Sequence, residues 1–238
     1  MNSIHVITPV KDSIDTTLRT VHSVMNSIHA TPFTYTVYND FSTPENTRIL
    51  HEAAQKEGFE VIDLAGLTDH PSPNYLLTLQ TSRRRALAEG AGLLIVESDV
   101  TVRPDTIQGL ADGAKEHPDC GIAAAVTVDQ YGHINYPYLY AQGMENQAFS
   151  TRKHCSFCCS LLTPALLRAV DFDLLDSKKN WFDVTISHRS LKAGFKNYLF
   201  ATLPVLHSPH GSRPWKQLKY TNPMKYYWLK LTKGLDKI

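Results

Sequence analysis

A chain of 238 residues with 42% apolar and 20% charged side chains has the makeup of an ordinary globular protein with a sizeable core. Its net charge of +1 supplies no overall attraction to nucleic acid or to an anionic membrane, so no nucleic-acid partner is expected and any membrane contact must be local. No stretch approaches the roughly 18 apolar residues of a membrane span. The N-terminus, Met1 to Pro9, lacks the basic head and long apolar centre of a signal peptide, which points to the cytoplasm.

In chain order, Ile4–Thr8 is a β-rich run ended by Pro9. Leu18, Val21, Val24, Met25 and Ile28 recur at helical spacing and predict a helix over 16–29. Tyr35–Asn39 reads as a second strand with Asp40 at its end. Ser42, Thr43 and Pro44 then open a helix to Lys56 or Glu57, with Glu45 placed to complete a capping box on Ser42 and Gly58 as the stop. Phe59–Leu64 is the third strand. A loop with Gly66, Pro71 and Pro73 leads to a helix over 75–89 and then to the run Leu93-Leu94-Ile95-Val96. This alternation predicts an α/β fold with a doubly wound, mainly parallel sheet flanked by helices. None of the glycines forms a G-x-G-x-x-G or a phosphate loop, which argues against a dinucleotide dehydrogenase or a phosphate-loop ATPase.

Further on, Arg103-Pro104-Asp105 opens a helix to about His117, and Gly121–Val128 is another apolar strand. Residues 129–153, where Tyr131, Tyr136, Tyr138 and Tyr140 sit among Gly132, Pro137 and Gly143, read as a hairpin or long loop. A strand over 156–162 and a short helix from Pro164 to Val170 follow. The next helix runs from Trp181-Phe182-Asp183 to near Gly194, and two short strands, 197–201 and 203–206, precede His207. Three of the four cysteines lie in His154-Cys155-Ser156-Phe157-Cys158-Cys159. No second knuckle exists in the sequence to complete a zinc site, so buried strand thiols are the better account.

The chemistry gathers at strand ends. Leu93–Val96 runs into Glu97-Ser98-Asp99, and alternation along an extended chain points both acids the same way, at the rim where open α/β sheets bind ligands. Two such carboxylates can hold a divalent cation and, through it, a diphosphate, or they can simply end a strand in water. Asp40 suits a contact to a base or ribose but equally a turn. Asp99 and His207 suit a metal, Asp183 suits a general base or a helix cap, and Arg83-Arg84-Arg85 suits a phosphate contact or a solvated helix face.

Together, Thr8-Pro9-Val10, Asn39-Asp40-Phe41-Ser42-Thr43 and Glu97-Ser98-Asp99 resemble the nucleotide-binding half of family-2 glycosyltransferases with the GT-A fold. The spacing Asp183, Arg189 (189 − 183 = 6), Gly194 (194 − 189 = 5) and His207 (207 − 194 = 13) resembles that family's acceptor half. The likeness covers about residues 3–210. It implies an inverting, metal-dependent transfer of a sugar from a nucleoside diphosphate donor to a hydroxyl of a saccharide or glycoconjugate. Carried over by position, Asp183 is the catalytic base. Thr8, Pro9, Asp40, Arg83 and Glu97 contact the nucleotide, and Asp99 and His207 hold Mn²⁺ or Mg²⁺. Three positions differ from the family: Glu97 replaces the first acid of the pair, Phe182 replaces the acid before the base, and Thr81-Ser82-Arg83-Arg84 replaces an Ala-Arg-Asn-like segment. Phe182 and Glu97 suit the alternative of a non-catalytic sugar-nucleotide or glycan-binding relative. The expected organisation is one domain over 1–212, with a nucleotide-binding half about 1–102 and an acceptor half about 103–212. A basic, aromatic tail over 213–238 follows. Between Trp215 and Ile238 six lysines face one acid, interleaved with aromatic residues, which suits a helix on the inner face of an anionic membrane or one docked on its own domain.

Overall fold

The computed structural model describes residues 1–178, 181–208, 218 and 222–233. Its elements are β1 (Ile4–Val10), α1 (Ile14–Met25), β2 (Phe33–Asn39), α2 (Pro44–Glu57), β3 (Glu60–Asp63), α3 (Tyr75–Ala88), β4 (Gly92–Val96), β5 (Val100–Thr101) and α4 (Thr106–Glu116). There follow β6 (Cys120–Val128), β7 (Ala148–Thr151), β8 (Cys159–Leu162), α5 (Pro164–Ala169), α6 (Phe182–Lys192), β9 (Lys196–His207) and α7 (Pro223–Thr232). All strands share one sheet in the order β3-β2-β1-β4-β8-β6-β9-β5, with β7 added on β9. The first four strands are mutually parallel, β6 and β9 are parallel, and β8 runs antiparallel between β4 and β6. The expected mainly parallel α/β sheet is therefore present, with β8, β5 and β7 as reversals.

β4 shows why the sheet is wound on both faces. Leu94 and Val96 join a core with Val21 of α1, Leu50 of α2 and Leu110 of α4. Leu93 and Ile95 join the opposite core with Leu79 of α3, Leu166 of α5 and Ile186 of α6. All four are fully buried, each contributing on the order of 1.5–3 kcal/mol.

Several local expectations are corrected. α1 starts at Ile14 and stops at Met25, and beyond it the Ile28 N–H donates to the Pro104 carbonyl (2.8 Å), leaving its side chain exposed. The cap of α2 is Thr43, whose hydroxyl accepts from the Asn46 N–H (3.3 Å), with Pro44 behind it. Ser42 instead accepts from the Asp12 N–H (2.8 Å), and Glu45 pairs with Arg48, so no capping box forms. The two strands foreseen before His207 are one, β9. Its register against β6 slips between Phe200 and Val205, the interval containing Pro204, which has no N–H to give a ladder. The irregular 129–153 stretch includes β7, paired along β9.

α7 is capped by Asn222, which accepts from the Lys225 N–H (3.1 Å). Tyr226 is its buried residue, whereas Met224, Tyr227, Trp228 and Leu231 are exposed. The boundary at 212/213 and the tail aromatics Trp215 and Tyr220 lie outside the described residues.

Candidate active site

The site is assembled from the ends of β1, β2 and β4 on one side and β9 on the other. After β1, Asp12 and Ser13 both take left-handed backbone (φ 54° and 52°), turning the chain across the sheet. Asp12 Oδ1 accepts from the Thr43 N–H (2.8 Å) and Asn46 Nδ2 (3.1 Å), and the Thr43 bond foremost holds its carboxyl below the usual range. Lys11 Nζ donates to the Phe41 carbonyl (2.7 Å). These contacts knit the β1 loop to the turn at Asp40.

Asp40 is itself a hub. Its Oδ2 accepts from Ser72 Oγ (2.7 Å) and the Asn74 N–H (2.9 Å), and its Oδ1 from Asn74 Nδ2 (2.8 Å). A carboxylate offers about four lone-pair sites, and the described residues take three of them, which leaves about one for a ligand after the loop before α3 has been latched.

At the head of β4, the Glu97 N–H donates to the Cys158 carbonyl (2.9 Å), and the Val100 N–H closes a turn on the Glu97 carbonyl (3.1 Å). β5 then pairs antiparallel with β9, Val100 opposite His207, and the Ser208 N–H donates to the Asp99 carbonyl (2.9 Å). His207 Nε2 thereby lies 3.6 Å from Asp99 Oδ2, both side chains largely buried. Burial disfavours charge on His207, but the contact with Asp99 and the charges of Asp99 and Glu97 raise its pKa overall. Glu97 goes the other way from a normal carboxylate. Burial foremost, then the negative charges of Asp99 and Asp183 against the opposing His207, push its pKa up to about 7. The Cys158 thiol donates to Glu97 Oε2 (3.4 Å). One donor atom each from Glu97, Cys158 and His207 lie within 4.8 Å of one another.

Asp183 sits in the first turn of α6, its Oδ1 accepting from the Val184 N–H (2.8 Å). Its charge is felt at Glu97 and at the buried Tyr75 hydroxyl, where burial is the leading cause of a raised pKa, followed by Glu97 and Asp183. The adjacent Phe182 turns into the core, its ring 6.3 Å from that of Tyr75.

A cleft of about 640 Å³ joins these ends, lined by residues 9–13, Asp40, Ser72, Pro73, Tyr75, Thr78 and 97–99. It brings together Pro9, Asp40, Glu97 and Asp99 from the sequence-predicted set. Thr8 lies in β1, fully buried, with its hydroxyl bonded to that of Tyr35 (2.8 Å). His207 meets the group through its approach to Asp99, whereas Asp183 is outside the lining of the cleft and is tied to Glu97 through its charge. Arg83 is elsewhere: its guanidinium donates to the Leu167 carbonyl (2.9 Å) and pairs with Asp171 (2.8 Å). Arg189 holds the carbonyls of Asp171 (3.3 Å) and Leu174 (2.9 Å). The Lys11–Ser13 loop, Ser72, Tyr75 and Cys158 are at the site without having been singled out for it. Cys158 was hidden because nothing in its neighbourhood shows that β8 inserts beside β4.

The sheet order and the helices on both faces are those of the GT-A fold. Residues 5–170 match the family model described as Glycosyl transferase family 2, and the chain belongs to that family. Comparison with curated sequences gives no match. Among solved structures, S. aureus TarS 1-349 in complex with UDP-GlcNAc is similar with a TM-score of 0.63 at 16% identity, over 89% of this chain and 60% of that one. GalNAc-T7 with UDP, GalNAc and Mn²⁺ gives 0.62 at 12% identity, over 87% and 44%. S. aureus TarS 1-349 alone gives 0.60 at 18%, over 87% and 58%. The chain thus spans less than two thirds of each of these relatives. Among the described residues no helix is long and apolar enough to cross a membrane.

Proposed function

We propose that this chain transfers a sugar, with inversion, from a nucleoside diphosphate donor to a hydroxyl of a saccharide or glycoconjugate acceptor, using Mn²⁺ or Mg²⁺. The observation that carries the reading is the approach of His207 Nε2 to Asp99 Oδ2 at the head of a cleft that also holds Asp40 and Glu97. Carboxylate and imidazole donors at that spot fit a divalent cation. When bound there, the ion neutralises charge on the departing diphosphate. Asp99 and His207 would hold it.

The nucleoside would lie along the β1 and β2 ends, between the Pro9–Ser13 loop and Asp40, with Asp40's free lone pair turned to the base or ribose. Thr8 supports that floor from beneath through its bond to Tyr35. Arg83 supports the loop after α5 rather than the nucleotide. Asp183 would take the proton of the acceptor hydroxyl as its oxygen bonds to the anomeric carbon. The bond from that carbon to the diphosphate breaks on the opposite face, and the electron pair leaves with the diphosphate. Because the similar structures contain UDP or UDP-GlcNAc, uridine diphosphate sugars are the donors to try first.

Calorimetric titration of UDP and the other nucleoside diphosphates with and without Mn²⁺, followed by assay of UDP release from UDP-sugars, tests the proposal. Binding that needs the ion supports it, and the absence of binding by UDP and by each of the other nucleoside diphosphates overturns it. Phe182, turned into the core where the family has an acid, favours a second reading as a donor-binding relative without turnover. UDP binding with no release from any UDP-sugar and acceptor would select that reading.

We propose that the tail helix rests on the inner face of an anionic membrane. Met224, Tyr227, Trp228 and Leu231 recur at helical spacing and are exposed beside Lys225 and Lys233. Co-sedimentation with vesicles containing anionic lipid, but not with neutral ones, is the expected result. Equal sedimentation with both, or with neither, rejects it.

A further inference from the structure

One side chain at the head of β4 has no part in the reading above. Cys158 lies just before β8, buried, with its thiol on Glu97 Oε2. Together with His207 it completes the one cluster of three His, Cys or acidic side chains among the described residues whose donor atoms share a 4.8 Å span. The cluster draws on three separate segments, the ends of β4 and β9 and the residue before β8, so it is a product of the fold. Asp99, 3.6 Å from the imidazole, adds a fourth donor at its edge. Modest side-chain rotation closes such a set around a single ion, since zinc ligands sit about 2.0–2.3 Å from the metal. Magnesium sites are built from oxygen, whereas sulfur and imidazole together suit zinc and cobalt.

We propose that Cys158 supplies a sulfur ligand to a cation held with Glu97 and His207, so that this centre binds Zn²⁺ or Co²⁺ more tightly than the Mn²⁺ or Mg²⁺ with which transfer is proposed. The inference rests on the reading that His207 and Asp99 face a cation. It does not depend on sugar transfer.

The test is titration of Co²⁺ into the full chain while recording the near-ultraviolet sulfur-to-cobalt charge-transfer band. The wild-type chain is expected to show the band. Cys158→Ser, which keeps a hydroxyl to donate to Glu97, is expected to lose it. Its Co²⁺ affinity should fall by on the order of tenfold while Mg²⁺ affinity changes by less than about twofold. X-ray absorption of the Zn²⁺-loaded wild-type chain needs no variant and should show a sulfur neighbour at about 2.3 Å. A wild-type chain without band or sulfur neighbour, or a Cys158→Ser chain that keeps the band, overturns the proposal. UDP titration with Mn²⁺ in parallel separates the two readings. Ion-dependent UDP binding without a sulfur signal leaves donor binding standing and removes this ligand. A sulfur signal without ion-dependent UDP binding does the reverse.

Discussion

Val100 stands opposite His207 in the short antiparallel ladder between β5 and β9, and that pairing sets the imidazole 3.6 Å from the Asp99 carboxylate. Two parts of the chain remote in sequence are thus held by backbone hydrogen bonds, not by the side chains alone. Asp99→Asn and His207→Ala are accordingly expected to keep the fold while weakening Mn²⁺-dependent UDP binding by roughly 10- to 100-fold. Calorimetry and a thermal melt of each variant make the check. Unchanged affinity in both would show that the ion, if any, sits elsewhere.

Asp183 is expected to separate chemistry from binding. In Asp183→Asn, transfer should fall roughly 10²–10⁴-fold, the usual worth of a general base, while UDP affinity stays within about twofold. Steady-state transfer assays beside donor titration provide the measurement. A variant with full turnover would assign the proton to another group.

Arg83 is expected to matter for stability and not for the donor. Its guanidinium is largely buried, donating to the Leu167 carbonyl and pairing with Asp171, so Arg83→Met should cost about 1–3 kcal/mol and leave UDP affinity unchanged. Urea unfolding together with UDP titration distinguishes this from a phosphate contact, which would show as lost affinity in a stable protein.

His5 is expected to make the fold acid-sensitive. It is fully buried in β1, bonded through Nδ1 to Thr34 Oγ1 (2.9 Å), and its Nε2 has no partner among the described residues. Burial first, then the nearby Arg85, lower its pKa from 6.5 to about 4. The unfolded chain therefore binds more protons between those values. Its stabilising effect is full above about 6.5 and is lost as pH falls toward 4, by on the order of 3 kcal/mol. Urea unfolding at neutral and mildly acidic pH should show a steeper loss for the wild-type chain than for His5→Gln. Equal slopes would reject the assignment.

The parts of this molecule that could be read beforehand are those where local pattern and global packing coincide. Leu93–Val96 alternates between two cores and had to be a covered strand, and Gly58, with φ of 83°, stops α2 as its position suggested. Partners across the chain were not legible. The run Arg83-Arg84-Arg85 looks uniform, yet Arg83 goes to Asp171, Arg84 to Asp173 and Arg85 to Glu60 and Glu89. Asp40 was visible as a strand-end acid, but not that Ser72 and Asn74 occupy most of its oxygens. Cys158 looked like one thiol among buried thiols until the reversal of β8 set it against Glu97.

That reversal also governs how the polypeptide can be divided. β8 covers the edge of β4, and β5, which ends at Thr101, finds its ladder on β9. A fragment ending at residue 102 would present Leu93 to Val96 as a bare, greasy border open to any passing strand, and is expected to precipitate on expression. The two halves proposed for donor and acceptor are expected to acquire their shape only in each other's company.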